Sequence, residues 1–172
     1  MAKPRLNGLS TQLTFVPPKV EMKGQEVTKK MKLAINKAIT RGVQKGITYV
    51  EAALRPALDN SMKSQWSWGV GVAGVATRDI VDTGALMSSL KLKATFLQTK
   101  TKLDITYTKP YAAFVHYGGY VKPYGNQKAN AVYLPGRPWV TAVIEGTHGQ
   151  PKFDSGKYFD QGIQEAWKAQ FG

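Results

Sequence analysis

The sequence predicts an α+β fold, and three patterns carry that reading. Apolar residues spaced by three and four from Met31 to Leu58 mark one long amphipathic helix near the N-terminus. Apolar and small or polar residues alternate with a period of two at Trp66–Val72, Leu92–Phe96 and Leu103–Tyr107, the signature of strands. Short helical stretches bounded by Gly and Pro fill the C-terminal half. At 172 residues, one domain is expected, here from residue 25 to residue 172.

Residues 1–24 mix Pro4, Pro17, Pro18 and Gly8 with scattered apolar side chains, which reads as an extended arm rather than an element. From Glu26 the period changes. Met31, Ile35, Ile39, Val43, Ile47, Val50, Leu54 and Leu58 fall on one helical face, and Lys29, Lys30, Lys32, Lys37, Arg41 and Lys45 fall mostly off it, giving a basic exposed side. Gly42, Gly46 and Pro56 weaken this helix, and Pro56 is expected to kink it or lie near its end. Trp66, Trp68, Val70 and Val72 then alternate with Ser67, Gly69, Gly71 and Ala73, predicting a strand with one bulky face and one nearly bare one.

After Asp82-Thr83-Gly84, residues Ala85 to Leu90 read as a short helix. Asp82 or Thr83 caps it, Gly84 keeps the turn tight, and Leu86 and Leu90 anchor it at i and i+4. The runs around Leu92 and Leu103 form a hairpin about Gln98-Thr99-Lys100-Thr101. Pro110 opens a helix over Tyr111–Tyr117, closed by Gly118 and Gly119 at positive φ. Residues 119–133 read as a long loop. Pro138 starts another short helix with Trp139 buried, ending at Gly146, and Phe159, Ile163, Trp167 and Phe171 define a terminal helix over Lys157–Phe171.

Composition narrows the chemistry. The chain has no Cys, which excludes disulfides, thiolate metal sites and a cysteine nucleophile. No signal-peptide core follows Lys3 and Arg5, and no run of about 18 apolar residues suits a membrane span, so neither secretion nor a membrane partner is expected. The formal net charge is +13, from 24 Lys and Arg against 11 Asp and Glu, with the excess concentrated in the first 60 residues. Such a surface suits DNA or an acidic protein neighbour.

Candidate catalytic motifs are present only in fragments. Gly69-Val70-Gly71-Val72-Ala73-Gly74 spells the dinucleotide fingerprint, but no periodic helix opens at Gly74 to hold a pyrophosphate. Ser88-Ser89-Leu90-Lys91 has the spacing of serine acyl enzymes without their companion motifs. His116 and His148 are the only histidines and lack metal-ligand spacing. A packed or interface role suits His116, and no support exists for a triad of Ser88, His116 and Asp82. The expectation is therefore a non-enzymatic protein with no cofactor, no metal and no catalytic residue.

Three segments recur in a recognisable order: Val81-Asp82-Thr83-Gly84-Ala85-Leu86-Met87-Ser88-Ser89-Leu90, then Tyr111-Ala112-Ala113-Phe114-Val115-His116-Tyr117-Gly118-Gly119, then Leu134-Pro135-Gly136-Arg137-Pro138-Trp139-Val140. Together, over about residues 25–146, they resemble the head-to-tail joining, neck or tail-completion proteins of tailed bacteriophages. The resemblance implies an α+β fold whose small antiparallel sheet is packed by the long helix. It implies that copies assemble into a ring, a hexamer or dodecamer, between the portal, adaptor or head-completion protein and the tail terminator or tail tube protein. DNA in transit would pass through the ring, and the protein would reside in the virion after assembly in the host cytoplasm. The arm 1–24 and the 119–133 loop are then expected to reach neighbours. A tail terminator ring capping the tail tube, and a non-specific DNA-binding protein, are the alternative readings.

Overall fold

The computed structural model of the chain describes residues 8–17, 19, 28–71, 74–78, 80, 84–97, 99–121 and 130–172. Its longest element is helix α1 (Lys29–Lys63). Thr28 starts it, since the Thr28 Oγ1 accepts the Met31 N–H at 3.2 Å and satisfies an amide of the open first turn. Most of the predicted stripe is buried, with Ile35, Val43, Ile47, Val50, Leu54 and Leu58 in the core, while Ile39 is half-buried and Met31, at the start of the helix, is exposed. Pro56 does not end the helix, which runs on to Lys63. A proline inside a helix releases the carbonyl four residues back. Ala52 and Pro56 both lie on the exposed side, where water can take that bond.

The strands form three small sheets. β1 (Leu9–Phe15), β4 (Leu90–Phe96) and β5 (Thr101–Tyr107) make one, in the order β1-β5-β4. β2 (Trp66–Gly71) pairs antiparallel with β3 (Gly74–Arg78), and β6 (Gly118–Val121) pairs antiparallel with β7 (Val132–Pro135). The hairpin between β4 and β5 is as the sequence predicts, closed by a bond from the Leu97 N–H to the Lys100 carbonyl at 2.9 Å. Along β5 every second residue, Thr101, Leu103, Ile105 and Tyr107, is buried, which suits the middle strand of the sheet. The intervening residues make polar cross-strand pairs. Gln12 Nε2 donates to Asp104 Oδ1 at 2.6 Å, and the Ser10 and Thr106 hydroxyls are 3.4 Å apart.

Three expectations are corrected. Leu9–Phe15 lies within residues read as an arm without an element, but it is a strand: Leu9, Thr11, Leu13 and Phe15 alternate with more exposed residues. Residues 119–133, read as a loop, contribute β6 and β7 at either end. The stretch from Ala85 is a 3-10 turn over Met87–Ser89, and Leu90 already belongs to β4, so Leu86 and Leu90 do not share a helix, although both are buried. No helix opens at Gly74, in keeping with the rejection of a dinucleotide loop; it begins a strand. Three short helices complete the chain: α2 (Ala112–Tyr117), α3 (Trp139–Glu145) and α4 (Ser155–Phe171). α3 ends at Gly146 in the left-handed region, as predicted, and Asp154 caps α4 by accepting the Gly156 N–H at 3.0 Å. Among the described residues no helix is long and apolar enough to cross a membrane.

The contacts group the chain into two compact units, 1–11 with 56–91 and 105–153, and 12–55 with 92–104 and 154–172. In the first, Trp66 closes over the end of α1. Its indole N–H donates to the Ser61 carbonyl at 2.7 Å, and its ring centroid lies 5.5 Å from that of His148.

The second unit is organised by a close crossing of α1 and α4. A Cβ on Gly162 would fall onto the Gly42 carbonyl oxygen, and one on Gly46 would lie 2.8 Å from the Phe159 Cα. The glycines that weaken α1 as an isolated helix are thus where α4 approaches. Phe159 is buried, stacked on Phe15 with centroids 3.7 Å apart. Around the crossing, Tyr49 Oη donates to Glu165 Oε2 at 2.6 Å, Gln161 Nε2 donates to Oε1 at 3.1 Å, and Lys45 Nζ lies 3.5 Å from Oε2. The Tyr49 bond, followed by that of Gln161, holds the Glu165 carboxyl below the usual range, and the same Tyr49 bond raises the phenol. Gly162→Ala should lower stability by roughly 1–3 kcal/mol through overpacking, despite a gain in helix propensity of about 1 kcal/mol. Urea unfolding of the two proteins measures this, and an unchanged midpoint would contradict the crossing.

Candidate functional site

The predicted motif residues that the structure describes fall in the first unit, and those of the second and third motifs meet at the turn from α2 into β6. Pro110 lets the chain turn, with the Ala112 N–H donating to the Lys109 carbonyl at 3.0 Å, and Ala112 is fully buried at the start of α2. α2 ends at Gly118, whose φ of 77° puts it in the left-handed region and whose N–H donates to the Phe114 carbonyl. A side chain there would also strike β7, since a Cβ would lie 2.6 Å from the Leu134 oxygen. Gly119, predicted at positive φ, is not among the positive-φ glycines. Its lack of a Cβ instead admits the Phe114 ring, whose Cε2 would lie 2.8 Å away.

β7 leads straight into the third motif. A Cβ on Gly136 would lie 2.7 Å from the Tyr117 carbonyl oxygen, so the strand exit presses on the end of α2. The Arg137 N–H donates to the Val115 carbonyl at 3.0 Å, and the Arg137 side chain is buried, which makes it a core residue rather than a surface cation. Pro138 occupies the position before α3 and accepts the Ala142 N–H at 2.8 Å. Trp139 is fully buried, as predicted, and both Tyr107 and His116 meet it edge to face at centroid distances of 5.3 and 4.9 Å. Ser61 Oγ donates to the Trp139 carbonyl at 3.0 Å.

His116 is packed. It is 2% exposed, its Nε2 lies 3.1 Å from Thr141 Oγ1, and its Nδ1 has no hydrogen-bond partner among the described residues. Burial lowers its pKa to about 4. It is therefore uncharged at neutral pH. Ser88 is exposed and its Oγ donates to the Ala85 carbonyl at 3.1 Å. Asp82 and Thr83, with the predicted cap, lie outside the described residues, while Gly84 holds a positive φ of 70° and its carbonyl accepts the Ser88 N–H. Among the described residues no group of three or more His, Asp or Glu could hold a metal. In the second unit Leu13, Phe15, Ile47, Val50, Leu103 and Phe159 help line a cavity of about 10 Å³, near the lower limit for one water.

Two surfaces remain. One is basic: Lys29, Lys30, Lys32, Lys37, Arg41 and Lys45 are all exposed on α1, as predicted, and Lys45 pairs with Glu165. The other is aromatic. Tyr120 and Tyr133 are opposite one another in the β6–β7 register, 74% and 52% exposed, with ring centroids 5.2 Å apart. Tyr117 and Val132 beside them are also exposed, and Tyr111 is partly so. Sequence reading missed this ribbon, although Tyr120-Val121 and Val132-Tyr133-Leu134 are short β-prone runs at the two ends of the presumed loop.

Compared with known proteins, the chain matches no family model, no curated protein and no solved structure.

The buried imidazole has a measurable consequence. The unfolded chain takes up the His116 proton near pH 6.5, whereas the folded chain resists until about 4. The unfolded state therefore binds more protons between those values, and the stabilisation present above the unfolded pKa is lost as pH falls. From about pH 7.5 to about pH 5 this amounts to on the order of 2 kcal/mol. His116→Gln should flatten that part of the stability profile in urea titrations, and an equally steep profile would count against the burial.

Proposed function

We propose that the chain is a non-enzymatic structural protein of the neck of a tailed-bacteriophage virion. Copies form a ring that joins the portal or head-completion complex to the tail and leaves a channel for DNA. The observation that carries this reading is the use to which the ordered motifs are put. Residues from Gly84 to Leu90, from Tyr111 to Gly119 and from Leu134 to Val140 belong to one compact unit. Within it, Arg137 bonds to the main chain of α2, and His116, Trp139 and Tyr107 share their ring faces and edges. These side chains are used up in holding one shape, which is what a motif of an assembly protein requires and a catalytic motif does not.

The aromatic ribbon supports the same reading. A two-stranded ribbon is marginal by itself, and Tyr at an exposed site supplies contact area at low entropic cost. In the ring, the ribbon of each copy lies against its neighbour. The strand β1 changes how this is tested, because deleting residues 1–24 would remove part of a sheet as well as any arm.

Paired substitution of Tyr120→Ser and Tyr133→Ser is the cleaner probe. Light scattering and electron microscopy of the purified chain should show a closed ring, and the variant should keep its helix content while associating at least about tenfold more weakly. A chain that stays monomeric and binds duplex DNA with a steep salt dependence would instead favour a non-specific DNA-binding protein.

A further inference from the structure

β4 is an edge strand, since the sheet order is β1-β5-β4. Two bonds fix which of its amides face outwards. The Leu97 N–H donates to the Lys100 carbonyl at 2.9 Å, and the Thr108 N–H donates to the Ser89 carbonyl at 3.2 Å. Both belong to one antiparallel register, in which Lys93 stands opposite Asp104. Hydrogen-bonded pairs alternate along such a ladder, so the odd-numbered residues of β4 bond to β5. The N–H and C=O groups of Leu92, Ala94 and Phe96 then point away from it, and among the described residues nothing bonds to them. The two sides of this edge differ. Leu92 and Ala94 are half-buried and Phe96 is 50% exposed on the side that carries Leu90 into the core. On the other side Lys91 and Lys93 are exposed, and Asp104, the acid opposite Lys93, accepts a bond from Gln12. Among the described residues neither lysine forms an ion pair.

These properties separate the candidate occupants. The phosphates of duplex DNA would meet the lysines, but they cannot donate to the outward carbonyls of Leu92, Ala94 and Phe96. A second copy paired through the same edge would set Lys91 and Lys93 of both chains on one face, and lysines on an edge strand oppose that pairing. An extended segment that alternates acidic and apolar residues satisfies the amides, the lysines and the apolar side together. We infer that the free edge of β4 takes an added strand from a protein partner, with acids on the lysine face and apolar residues beside Leu92, Ala94 and Phe96. Such docking is independent of whether the chain forms a ring.

The test uses the full chain and a fluorescein-labelled peptide that alternates glutamate with valine. Its controls are the same peptide with lysine in place of glutamate, and a short DNA duplex as competitor. The glutamate peptide should bind about tenfold or more tightly than the lysine one. Lys91→Glu combined with Lys93→Glu should reverse that preference. Ala94→Pro removes an outward N–H and leaves the β4–β5 ladder its bonds. It should weaken the glutamate peptide about tenfold, with circular dichroism showing the fold kept. Independently of any variant, N-methylation of the valine amides or of the glutamate amides should abolish binding in one case and spare it in the other, because an added strand bonds through one edge. Equal binding of the glutamate and lysine peptides, no binding of either, or equal effects of the two methylation patterns overturns the inference. So does competition by DNA that Ala94→Pro leaves unchanged, since the lysines would then serve a phosphate surface.

Discussion

The distance between two backbones, at Gly42 and Gly46 on one helix and Gly162 on the other, governs the arrangement of the α1–α4 unit. Each mid-helix glycine disfavours the helix by about 1 kcal/mol relative to alanine. That deficit is offset by what the proximity permits. Phe159 reaches the core to stack on Phe15, and the Tyr49 hydroxyl comes within 2.6 Å of Glu165. The Tyr49 bond runs from one helix to the other and so depends directly on that separation.

The other unit applies the same logic to a turn. Gly118 and Gly136 let α2, β6 and β7 meet with main chain against main chain, and the space beyond is filled by Trp139, Tyr107, His116 and Arg137. Buried polar groups of this kind stabilise a structure only if they are held in one arrangement. Here the Arg137 N–H is bonded to the Val115 carbonyl, and His116 Nε2 lies against the Thr141 hydroxyl. The cluster is internal, whereas the tyrosine ribbon and the cations of α1 are exposed.

Much of the fold is legible in the sequence where periodicity is long. The stripe from Ile35 to Leu58 predicts α1, and the alternation around Leu92 and Leu103 predicts the β4–β5 hairpin. What escapes is short or depends on context. β1 is obscured by the prolines on either side of it and by its own Ser and Thr content, and β6 and β7 are four residues each. Pro56 reads as a breaker because its solvent-facing position is a tertiary fact. For the site, burial of Trp139 and exposure of the α1 cations are readable from residue type. Burial of Arg137 is not, since a charged side chain is normally taken for surface. The glycines of α1 are read for propensity when their spacing of four, matched by a third glycine on another helix, carries the information.

That crossing also determines how the chain can drift in sequence. Most core positions accept another apolar residue of similar volume, so distant relatives can lose nearly all residue identity there. Gly42, Gly46, Gly118, Gly136 and Gly162 have no such substitutes, because the space a Cβ needs is occupied by main chain or by a ring. Kinship would then persist as a pattern of missing side chains, which comparisons that reward shared bulky residues are poorly suited to detect.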